Sequence, residues 1–140
     1  MNEISRWVLS STRQLGMVPA CFFAAHMVAS KVFEAYLTYP WLDIPMHFFG
    51  GVAIAFFIFG SIRNTLAKEA LGELTKTGEY LLAFSGVCAA ALVWEFAEWS
   101  TDRIGITESQ LSLEDTILDM FLGVAGGSIY LLVRSRIEKK

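Results

Sequence analysis

Four apolar stretches nearly free of charge constrain this chain more than anything else in it: residues 16–37, 43–62, 79–100 and 115–134. A helix needs about 20 consecutive apolar residues to cross the hydrocarbon core, and each stretch is long enough. In a bilayer the backbone must satisfy its own hydrogen bonds, which makes such segments helices. With 54% hydrophobic residues in 140, the expected fold is all-α: an integral membrane four-helix bundle forming a single transmembrane domain. Residues 2–14, with Ile4, Trp7 and Val8 among Arg6, Ser10 and Arg13, are expected to form a short amphipathic helix at the membrane surface. Pro40 is a helix stop, Asp43 an N-cap candidate, and Pro45 fits a first helical turn. Ser112 and Asp115 have capping-box spacing. Gly50, Gly51, Gly123, Gly126 and Gly127 stand inside apolar helices, where glycine marks close helix–helix contact.

The basic residues set the orientation. Arg6, Arg13, Arg63, Lys68, Lys76, Arg134, Arg136, Lys139 and Lys140 fall on one side of the four spans, Arg103 falls on the other, and Lys31 lies within the first. The positive-inside rule then places both termini in the cytoplasm, in a multi-pass protein of the cell inner (cytoplasmic) membrane. The net charge of −3 and the lack of a basic face argue against nucleic acid as a partner. Cys21 and Cys88 stand singly, with neither disulfide nor zinc-knuckle spacing.

This topology gathers the acidic residues. Asp43 and His47 open the second span, Glu95 and Glu98 close the third, and Asp115 and Asp119 open the fourth, all within a turn or two of the outer face. Each pair shares one helix face. The macrodipole favours carboxylates at the helix starts and opposes Glu95 and Glu98 at a helix end. Carboxylates crowded between helices must be hydrated, protonated or neutralised by cations, and positive side chains on this side are scarce. A divalent metal ion resolves the conflict, with Asp43, His47, Glu95, Glu98, Asp115 and Asp119 as candidate ligands. Carboxylates with imidazole suit iron, manganese, zinc or magnesium.

Plainer roles stand beside these. Asp43 and Asp115 serve equally as caps, Glu98 as a solvated side chain, and His47 as a donor to a backbone carbonyl. His26 reads as an interhelical hydrogen-bond partner and Lys31–Glu34 as a local ion pair. Trp41, Trp94 and Trp99 read as an outer aromatic belt, and Phe48–Phe59 as lipid-facing packing.

The series Asp43-x-x-x-His47-Phe48, a later glutamate, then Asp115-x-x-x-Asp119-x-x-x-Gly123-x-x-Gly126 resembles the VanZ-like group of small bacterial membrane proteins. It is more similar to the YjdF-type inner-membrane proteins, whose pattern has a histidine followed by glycines, Trp-Glu-x-x-Glu, and paired aspartates before glycines. The resemblance covers the second to fourth spans and implies a multi-helix membrane fold with a shared polar cluster. Three functions remain open. The first is a metal-dependent enzyme acting on a lipid or lipid-linked substrate at the outer leaflet, with Glu95 or Glu98 as general base. The second is an ion- or proton-coupled transport protein, a homo-oligomer built through the glycine-containing faces. The third is a structural or regulatory partner of another membrane protein.

Overall fold

The computed structural model describes residues 1–107, 110 and 112–139; of the residues named above, Lys140 lies outside them. The described chain is all-helical apart from its connections, with no strand. Its helices are α1 (Glu3–Leu15), α2 (Met17–Lys31), α3 (Ala35–Thr38), α4 (Asp43–Ile62), α5 (Ala67–Leu71), α6 (Lys76–Arg103) and α7 (Leu113–Ile137), with a 3-10 turn at Pro40–Leu42. Among the described residues, three segments are long and apolar enough to cross a membrane: Pro40–Ile62, Lys76–Arg103 and Leu113–Ile137.

The expected first span differs. Its apolar helix α2 is 15 residues, about 22 Å at 1.5 Å per residue, against the roughly 30 Å of a hydrocarbon core. The helix ends after Lys31, and Glu34 adopts a left-handed conformation (φ 47°) before α3 begins. That break takes Lys31 and Glu34 off a common helix face, and the anticipated ion pair between them does not form. The expected stop at Pro40 is real, since α3 ends at Thr38 and Pro40 opens the 3-10 turn. Asp43 is not a cap. The turn runs straight into α4, and Asp43 is already helical (φ −60°, ψ −43°), which frees its carboxylate for other contacts. Ser112 does cap α7, accepting from the Asp115 N–H at 3.1 Å.

The amphipathic α1 lies against the end of α4. Trp7 donates from Nε1 to the Ser61 carbonyl at 2.7 Å, Asn64 donates to Ser10 Oγ at 3.1 Å, and Arg6 pairs with Glu69 of α5 at 3.4 Å.

Glycine decides how α4 meets α7. A Cβ on Gly51 would lie 1.9 Å from the Gly123 carbonyl oxygen, and one on Gly126 would lie 1.9 Å from that of Phe48. Backbone therefore touches backbone, which no larger residue at these positions permits. Gly127 and Gly50 meet side chains instead: a Cβ would lie 2.5 Å from Val87 Cγ1 of α6 and 3.3 Å from the Phe22 ring of α2, respectively. The glycine faces offered above to a homo-oligomer are thus occupied within the chain.

At the far end of α4, a charged clasp ties three helices. Arg63 donates to Glu79 Oε2 from Nε at 2.9 Å and from Nη2 at 2.6 Å, and it also binds the Glu138 carboxylate. Tyr80 donates to Glu138 at 3.1 Å, Lys76 approaches it at 3.4 Å and Arg134 at 3.5 Å. The Arg63 guanidinium lies 4.3 Å above the Phe59 ring. Phe59 is buried with Ile62, Ala83 and Leu131, so the aromatic run 48–59 is not uniformly lipid-facing.

Two expectations follow. Gly51→Ala should lose more than about 3 kcal/mol of stability or fail to fold, because backbone cannot yield as a side chain does. Gly123→Ala should be mild, since its Cβ would meet Ala91 at an ordinary 3.5 Å. Thermal unfolding in detergent compares them, and equal losses would contradict the packing. The second concerns Glu138, whose carboxyl the Arg63 hydrogen bond holds down at about 2. The free value is about 4.3, so the clasp contributes fully above that pH and is lost as pH falls toward 2. The gap in unfolding temperature between the native chain and Glu138→Gln should be constant above about pH 5 and close in that acid window.

Candidate metal centre

His47 stands one turn into α4, directly after Asp43 on the same face. Asp119 reaches it from α7 and Glu95 from α6. His47 Nε2 lies 3.4 Å from Asp43 Oδ1 and 3.7 Å from Asp119 Oδ1, while Nδ1 lies 3.9 Å from Glu95 Oε1. Glu95 and Asp119 are buried, at 3% and 5% exposure. The imidazole therefore has carboxylates on both sides, drawn from three helices. Two sets of three residues each offer ligand atoms within 4.8 Å of one another: Asp43, His47 and Asp119, and His47, Glu95 and Glu98. Five of the six expected residues thus come together in these sets. Asp115, one turn before Asp119 on α7, belongs to neither.

Positive charge does not balance the cluster. Among the described residues, no lysine or arginine forms a salt bridge with Asp43, Glu95, Glu98 or Asp119. Arg103, the basic residue assigned to this side, has its guanidinium 5.6 Å from the Trp99 ring centre.

The connection after α6 contributes a side chain that the sequence pattern does not single out. Gln110 Nε2 donates to the Glu95 carbonyl at 3.1 Å and to its carboxylate at 3.4 Å. The Asp102 carboxylate fixes this arrangement by accepting from Thr107 Oγ1 at 2.5 Å and from the Gln110 N–H at 2.8 Å. A glutamine in a polar connection carries no periodic signal, so only the folded loop reveals it.

Beside the cluster lies a cavity of about 140 Å³ between α2, α4, α6 and α7. His26, His47, Glu95 and Asp119 are the ionisable residues lining it. His26 acts as the interhelical partner expected of it, sharing a 2.8 Å hydrogen bond through Nδ1 with the Tyr36 hydroxyl. Trp94, expected in the belt, lines the cavity, edge-on to His26 at 5.5 Å and to Phe23 at 5.7 Å. Trp41 and Trp99 are exposed.

Long apolar helices around buried carboxylates and a histidine define a helical membrane protein with a polar cluster inside it. The chain belongs to the DUF2238 family of predicted membrane proteins, whose family model matches residues 3–140. It is also 28% identical over 102 residues to an uncharacterized protein of Thermotoga maritima. That match covers 72% of this chain and 51% of the relative, so the chain spans about half the length of the curated relative it matches. No solved structure matches it.

Proposed function

We propose that this protein holds one divalent cation between Asp43, His47 and Asp119 and uses it on a lipid or lipid-linked substrate at the outer face of the inner membrane. One observation carries the reading: the His47 nitrogens stand 3.4 to 3.9 Å from three carboxylates of three helices. These gaps exceed the 2.7–3.2 Å of an ordinary N–H···O hydrogen bond. Atoms bound to one ion at about 2.0–2.2 Å stand roughly 3–3.5 Å apart, which is nearer to the Asp43 and Asp119 spacings. Buried carboxylates without arginine or lysine need such an ion, or else protons.

The imidazole also argues for one ion rather than two. A neutral ring has a single nitrogen lone pair to give, so it cannot serve both sets of ligands at once. Nε2 faces two carboxylates and is the better donor site. Nδ1–H then faces Glu95 across 3.9 Å, and that carboxylate would have to close in to fix the tautomer and ring orientation of a metal-bound histidine. Gln110 would steady Glu95 in that role. Glu98, partly exposed, is left as the candidate general base, and Asp115 as a nearby negative charge at the start of α7.

When bound, the ion would supply Lewis acidity toward a carbonyl or phosphoryl oxygen, or a more acidic water. Oxygen-rich ligation with one imidazole suits iron, manganese, zinc or magnesium. The one-sided distribution of basic residues supports cytoplasmic termini under the positive-inside rule, with α2 as a fourth, shorter member of the bundle. Trp94-Glu-x-x-Glu98 and the aspartates before Gly123 support the finer resemblance to YjdF-type inner-membrane proteins.

Metal content of the purified protein, measured by mass spectrometry without a chelating tag, tests this reading. About one ion per chain is expected. His47→Gln and Asp119→Asn should lose it, whereas Glu95→Gln should keep it with roughly 10–100-fold weaker affinity. Glu98→Gln should keep the metal and lose lipid turnover. No metal after reconstitution with each of the four candidates would overturn the proposal.

A further inference from the structure

The cavity beside the cluster has two unlike ends. Its upper end meets His47, Glu95 and Asp119. Its deeper walls are Phe22 of α2, Ile54 of α4, and Val87 and Ala90 of α6. Ile54 lies seven residues beyond His47, and Val87 eight before Glu95, which makes the cavity about 10–12 Å long at 1.5 Å per residue. Water needs two to four polar partners, and the deeper walls supply no side chain of that kind. An apolar cavity of about 150 Å³ stays dry and takes a hydrocarbon the size of benzene, so this one suits roughly six carbons. Phe23, 47% exposed, stands at its rim against Trp94.

We propose that this cavity binds the part of a lipid chain nearest its head, with an oxygen-bearing head at the His47–Asp119 end and the remaining chain leaving past Phe23 into the bilayer. The proposal deepens the metal reading and rests on it only for what the head meets. An all-polar substrate would leave the walls at Phe22, Ile54 and Val87 unfilled. A chain without a polar head would leave the buried carboxylates facing hydrocarbon, which is costly. An amphiphile with one chain in the cavity satisfies both ends. Ala90 then sets the room available, since a larger side chain there projects into the space the chain would fill.

Trp94 lines the cavity and reports on it directly. The experiment uses the full chain with the exposed Trp41 and Trp99 replaced by phenylalanine, leaving Trp94 and, at the opposite end, Trp7. The probe is a fatty acid carrying bromine about six carbons from its head, the reach set by the cavity. Quenching should saturate at about one probe per chain. Ala90→Phe and the milder Ala90→Leu should weaken the saturable part at least about tenfold while helical circular dichroism and the unfolding temperature are retained, which shows that they fold. Quenching that only rises in proportion to the probe's share of the bilayer would overturn the proposal, as would saturation unchanged in both folded variants. Saturable quenching in a protein that holds no metal upholds the chain site and overturns only the metal reading.

Discussion

Backbone contact between α4 and α7 is the constraint on which the rest of this molecule depends. Gly51 follows His47 by four residues and Gly123 follows Asp119 by four, so each glycine lies one turn deeper on the face that carries the polar residue. Because a Cβ at Gly51 would collide with the Gly123 carbonyl, the two helices are as close there as helices can come. That approach brings the Asp119 carboxylate to 3.7 Å from His47. A larger residue at Gly51 or Gly126 would push the helices apart and the cluster with them. The glycine step is thus a packing device and a positioning device at once, and it links sequence to site without an intervening loop.

The two ends of the bundle treat buried or half-buried acids in opposite ways. Glu138 is met by Arg63, Lys76 and Arg134, and by the Tyr80 hydroxyl, so its charge is balanced by fixed side chains. Among the described residues, Asp119 and Glu95 share an imidazole, Glu95 also meets the Gln110 amide, and neither pairs with lysine or arginine. A structural acid at one end has cations built in; for the acids at the other end, the proposed counter-charge is a bound ion. The contrast favours a bound ion over a purely architectural role, because the chain evidently can supply arginine where architecture needs it.

Much of this was legible in the sequence, and the omissions have physical causes. The long helices follow from apolar length, the α7 cap from Ser112, and the internal contacts from the glycines. The meeting of His47, Glu95, Glu98 and Asp119 follows from helix faces and from the alternation of spans. Asp43 reads equally well as a cap, since a preceding 3-10 turn that makes it helical leaves no local signature. The end of α2 after Lys31 was hidden because an apolar stretch reports burial or lipid, not where a backbone leaves helical angles, as Glu34 does. Trp94 looks like an interfacial tryptophan until α2 is in place to turn it inward. Gln110 lies in a connection with no period to read.

The metal reading requires that His47 ligate the ion together with carboxylates of α4 and α7. X-ray absorption at the zinc edge of the zinc-loaded protein tests it most directly. The expected spectrum has nitrogen and oxygen neighbours at about 2.0–2.2 Å, including the outer-shell scattering of one imidazole, and that scattering disappears in His47→Gln. A spectrum of oxygen neighbours alone, unchanged by His47→Gln, would contradict the claim.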